Sequence, residues 1–108
     1  MEDLYAKFLP QFVELARSRV GLAIKAAVER DLVAMAKVVR ELHTLAGEAG
    51  LLGLHEVVPL ARESELKAKA LHAGRGDAEV EPLVAGLRQL EHVIDSIGAT
   101  HTSKSGDS

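Results

Sequence analysis

Apolar residues recur at steps of three and four along most of the chain, the spacing of one face of an α-helix. Between Pro10 and Glu29 the positions Phe12, Leu15, Ala16, Arg19, Leu22, Ala23, Ala26 and Ala27 keep this rhythm and predict a helix. Met35, Val38, Leu42, Leu45 and Ala49 form the stripe of a second helix, running from Asp31 to about Gly50. A third is expected from Gly53 or His55 to about Ala73. The last begins between Glu79 and Pro82 and carries Leu83, Leu87, Leu90, Ile94 and Ile97. Strand signals are scarce, with no Asn-Gly or Asp-Gly turn between alternating residues.

Punctuating residues set the expected boundaries. Pro10 favours a fresh helix start, because proline is tolerated in a first turn, which leaves a short separate helix over Asp3 to Phe8. Asp31 can cap the next helix by accepting from orphan backbone N–H groups. Pro59 fits a helix only near its first turn. Gly74-Arg75-Gly76-Asp77 reads as a turn, and Gly98 as a helix stop. Thr100 to Ser108 is polar and small, as a disordered tail or linker would be. The expected fold is all-α: an up-down-up-down four-helix bundle with a short extra N-terminal helix. Residues 1–98 would form the domain and residues 99–108 the tail or linker.

Composition narrows the function classes. A chain of 108 residues is the size of one domain. Its net charge of -3 argues against a nucleic-acid binder, since such domains run basic. Aromatic residues are only 3%, too few for a base-stacking platform. Cys is absent, which excludes disulfides, thiolate zinc sites and a catalytic thiol. No apolar run approaches the roughly 18 residues of a membrane span, and Met-Glu-Asp-Leu lacks a signal peptide's basic flank. A cytoplasmic monomer with neither nucleic-acid nor membrane partners is the expectation.

The chemistry concentrates in Glu41 to Leu54. At about 100° per helical residue, His43 lies roughly 120° from the centre of the Met35–Ala49 stripe and should be exposed. Its neighbours on that side are Ala36, Val39, Arg40, Ala46, Gly47 and Gly50, and most are small. A helix-interior glycine costs about 1 kcal/mol relative to alanine. Glycine there permits close approach of another surface, although Gly50 and Gly53 can also simply end the helix. An exposed imidazole titrates near neutrality, so a nucleophilic neutral ring is available to carry a phosphoryl group. A lone surface histidine in a structural or dimerising bundle remains open on these grounds.

His43-Thr44-Leu45-Ala46-Gly47-Glu48-Ala49-Gly50-Leu51-Leu52-Gly53 resembles the motif of histidine phosphotransfer (HPt) domains, written His-x-Leu-Lys-Gly-Ser-Ala/Ser followed by apolar residues and a Gly. His43, Leu45, Gly47, Ala49 and Gly53 match. The wider resemblance runs from about Phe8 to Ala73, with Asp31 opening the His-bearing helix and Val57, Leu60, Ala61 and Glu65 following it. It implies a phosphorelay carrier with His43 as phosphoacceptor. The implied partners are a histidine kinase or hybrid kinase and a response-regulator receiver domain, which supplies the Mg²⁺ and most catalytic groups. In chemotaxis-type kinases a Glu on the following helix hydrogen-bonds the imidazole, and Glu65 holds that place in the pattern.

Two positions depart from the motif: Ala46 replaces the usual Lys, and Glu48 the common Ser. Arg40 or Lys69 could replace the missing cation beside the phosphoryl group, while Gly47 and Gly50 would lie under a docking partner. The lost Lys also leaves room for an HPt-like bundle that docks, or inhibits, without carrying phosphate. His55, His72, His92 and His101 are scattered without the spacing of a zinc helix. Gly74-Arg75-Gly76 lacks the Lys-Ser/Thr of a phosphate loop. Arg17, Arg19 and Lys25 are too sparse for a nucleic-acid patch. The expectation is therefore a carrier without metal or cofactor and without its own kinase or ATP-binding segment, and so not an enzyme.

Overall fold

Four helices account for the secondary structure in a computed structural model: α1 (Glu2–Glu29), α2 (Leu32–Leu51), α3 (Val57–His72) and α4 (Val80–Gly106). The structure describes the backbone of residues 2–74 and 80–106 and the side chains of residues 7–74 and 80–99, and holds no strand among them. α2 lies between α1 and α3, and α4 packs against the other sides of α1 and α3. The expected Arg75-Gly76-Asp77 turn falls outside the described residues.

The core is built mainly from Leu, Val and Ala. Met35, Leu42 and Leu45 of α2 and Leu83, Leu87, Leu90 and Ile94 of α4 are fully buried members of one core cluster. Each such side chain contributes about 1.5–3 kcal/mol by leaving water. Facing them, α1 offers Ala16, Val20, Ala23 and Ala27, and α3 offers Val57, Ala61 and Ala68. Pro59 stands in the first turn of α3 and Pro82 in that of α4, where a missing N–H is tolerated.

Three expectations are corrected. There is no separate short N-terminal helix: α1 is continuous through Pro10. Leu9, Phe12, Val13 and Ala16 are all buried and keep one register across the proline. Burying Leu9 and Phe12 at about 1.5–3 kcal/mol each offsets the roughly 3 kcal/mol cost of an interior proline. The core face of α1 is also rotated from the expected one. Leu15 and Leu22 are exposed, and Leu9, Val13 and Val20 are buried in their place.

Gly98 is not a helix stop, since α4 continues to Gly106. It is buried against α1, and a Cβ there would come 3.0 Å from Val13 Cγ1 and 3.0 Å from Arg17 Nη2. The glycine is what lets the two helices approach.

Candidate functional site

The placement of α2 depends on both its ends. Asp31 accepts a hydrogen bond from the Ala34 backbone N–H at 3.0 Å, the N-cap arrangement that satisfies an orphan donor. At the other end Gly53 adopts φ +72. The Gly53 N–H donates to Gly50 O at 3.1 Å and the Leu54 N–H to Ala49 O at 2.9 Å. This paired closure favours glycine at the left-handed position. Met35, Val38, Leu42, Leu45 and Ala49 are all buried, which turns His43 outward. Its side chain is 70% exposed.

α3 brings the second group. Its buried face includes Ala61, Ser64, Glu65 and Ala68. Glu65 Oε2 lies 3.1 Å from His43 Nδ1, on a carboxylate only 10% exposed. A carboxylate oxygen only accepts, so the Nδ1 proton donates to it and Nε2 is left outside this contact. Lys69, one turn further along α3, places its ammonium 3.5 Å from the same Oε2. His43, Glu65 and Lys69 thus form one cluster across α2 and α3.

The remaining sequence-identified positions divide. Gly47 and Gly50 are exposed on the His43 side of α2, and a Cβ at either would meet nothing within 4 Å. No contact within the described chain requires glycine there. Arg40 is exposed. Ala46 requires a correction: it is 1% exposed and belongs to the core rather than to the surface beside His43. Position 46 lies about 60° from His43, at the edge of the core stripe, where the packing of α3 against α2 buries it. Glu48 is also not on the histidine's face. It pairs with Arg19 Nη1 at 2.7 Å, while Arg19 Nε reaches Glu41 Oε2 at 3.1 Å.

Sequence reasoning missed an apolar surface beside this face. Leu51 is 90% exposed two turns along α2 from His43. Next to it, Phe8, Gln11, Phe12 and Leu15 of α1 line a groove of about 290 Å³ with Glu48 and Leu52. The available signal was the seven-residue spacing of Phe8, Leu15 and Leu22, which marks an α1 edge offset from the buried stripe.

Among the described residues, no three His, Asp or Glu side chains converge as metal ligands do, and no helix is long and apolar enough to cross a membrane. No curated protein and no solved structure matches the chain. A family model, that of the Hpt domain, matches residues 7–100. That span takes in α2 and α3 whole, most of α1 and α4, and the His43–Glu65–Lys69 cluster. The chain belongs to the Hpt domain family, whose members take part in histidine phosphotransfer in phosphorelays.

Proposed function

We propose that this protein carries a phosphoryl group on His43 between a histidine kinase or receiver aspartate and the aspartate of a response-regulator receiver. The observation that carries the reading is the exposed imidazole whose Nδ1 lies 3.1 Å from Glu65 Oε2. Glu65 fixes the ring and its tautomer, which is how a third group readies a histidine nucleophile.

The Nε2 lone pair attacks the phosphorus of an aspartyl phosphate. An N–P bond forms as the P–O bond to the aspartyl carboxyl breaks, and that electron pair stays on the released carboxylate. The ring becomes a phosphorylated imidazolium whose Nδ1–H remains on Glu65. The reverse sequence hands the group to the next aspartate. The chain acts as a carrier, with no cofactor of its own, and the receiver contributes the metal and the remaining catalytic groups.

The partner docks over Gly47 and Gly50, where missing side chains let it approach Nε2. Leu51 and the Phe8–Leu15 edge extend that surface. Residues 1–98 act as one up-down-up-down bundle, monomeric and cytoplasmic; beyond them α4 runs on to Gly106 and leads into a tail or linker.

Incubation with phosphorylated receivers, followed by phosphosite mapping, tests the reading. Acid-labile phosphate should appear on His43, and His43→Gln should take none. The variant's stability should change by no more than about 0.5 kcal/mol, as for other exposed substitutions. Receiver binding without label would instead identify a docking bundle. Neither binding nor label, together with self-association, would identify a dimerisation module.

A further inference from the structure

Arg40 and Lys69 are the two cations that the sequence offers to the candidate phosphoacceptor, and helix geometry separates their roles. Side chains on a helix lean toward its N-terminus, so a residue covers the turn before its own Cα. Arg40 precedes His43 by three residues and leans away from it. The α2 positions that lean back over His43 are 46 and 47, occupied by a buried alanine and a glycine. α2 therefore sets no cation over the imidazole. On α3 the same rule swings Lys69 back over Glu65, where its ammonium sits 3.5 Å from Oε2. One carboxylate oxygen separates it from His43 Nδ1. The Lys69 side chain is 56% exposed, and its long stem can rotate.

We propose that Lys69 holds the phosphoryl group on His43, moving from Glu65 to a phosphoryl oxygen as the group arrives. This rests on His43 being the carrier. The charges exchange partners without loss. Before transfer, the Glu65 carboxylate receives both the neutral ring's N–H and the Lys69 ammonium. After transfer, the ring is cationic and retains Glu65, while the dianionic phosphoryl group takes Lys69. Charge-assisted hydrogen bonds of this kind are roughly twice as strong as neutral ones. The cation that the motif would supply from position 46 comes instead from the neighbouring helix.

The test equilibrates the full chain with a phosphorylated receiver and reads the partition of label between His43 and the receiver, at low and high salt. Lys69→Met should move the partition toward the receiver by about two- to five-fold, the range of an exposed ion pair. It should also weaken the salt dependence, and Lys69→Arg should restore both. A Glu65→Gln background separates the two ways Lys69 could act. If it holds the phosphoryl group, Lys69→Met keeps its effect there. Loss of the effect in that background would show that Lys69 only positions Glu65, and would overturn the proposal. So would an unchanged partition in Lys69→Met while His43 labels normally. Absence of label on His43 in the parent chain would overturn the carrier reading itself, and this assignment with it.

Discussion

Glu48 lies 2.7 Å from Arg19 Nη1, so the α2 position where the HPt motif carries a small polar residue is committed to a contact with α1. Arg19 is only 17% exposed in its side chain and also reaches Glu41. The departure from the motif therefore belongs to the α1–α2 seam and not to the phosphoryl chemistry. Glu48→Ser should lower stability by about 1 kcal/mol, at the upper end for a partly exposed pair. It should leave phosphoryl acceptance unchanged. Chemical denaturation and a phosphotransfer time course on the same sample check both parts; slower transfer would place Glu48 in the site.

Glu65→Gln keeps the size of the side chain and a carbonyl acceptor but removes the charge that faces the ring. A hydrogen bond to a charged group contributes about 1.5–3 kcal/mol, and the half-open site favours the lower end. Acceptance by His43 should slow by about ten-fold. Label should remain confined to His43. An unchanged rate would mean that the imidazole needs no orienting partner.

The parts of the fold legible in the sequence were those governed by local chemistry. Asp31 caps α2 and Gly53 closes it, and Pro59 and Pro82 lie in first turns. The α2 stripe from Met35 to Ala49 is buried throughout, and His43 faces outward as its angle requires. Features set by packing between helices were not legible. On α1, Leu15 and Leu22 compete with Val13 and Val20 for the same periodicity, and only contact with α4 and α2 decides which set is buried. Pro10 reads as a boundary because the burial that offsets its cost is tertiary. Gly98 has the local signature of a stop, yet Val13 and Arg17 stand against it. In the site, the Glu65 contact was reachable only through the family resemblance. The burial of Ala46 depends on how closely α3 approaches α2, which no single-helix angle specifies.

Gly47 and Gly98 should respond in opposite ways to the same substitution. Nothing lies within 4 Å of a Cβ at Gly47, so Gly47→Leu should leave the bundle as stable or gain up to about 1 kcal/mol from helix propensity. It should weaken receiver binding by obstructing the approach to His43. Gly98→Leu must displace Val13, itself buried, and should cost about 1–3 kcal/mol as an overpacked core does. Thermal melts of both variants and a receiver titration with Gly47→Leu check this. Undiminished receiver affinity in Gly47→Leu would refute docking over α2.

Ala46→Lys restores the residue that the HPt motif carries, but at a position only 1% exposed. The new side chain can carry its charge only by running its stem along the α2–α3 surface and emerging beside His43, as buried lysines snorkel. Displacing neighbours to make room should cost about 1–3 kcal/mol of stability, so a lower melting temperature is expected. If the ammonium emerges, it meets a phosphoryl group already served by Lys69. In the parent chain, the partition of label between His43 and a receiver should therefore move by less than about two-fold, within the range of an exposed ion pair. In a Lys69→Met background the same substitution should recover most of the lost phosphohistidine. Equilibrium phosphotransfer with both single variants and the double variant provides the measurement. Recovery in the double variant would show that positions 46 and 69 are alternative sources of one cation. Equal effects in both backgrounds would mean that the two act independently. No recovery, in a double variant that still melts cooperatively, would mean that a side chain at 46 stays beneath α3 and cannot reach the phosphoryl group.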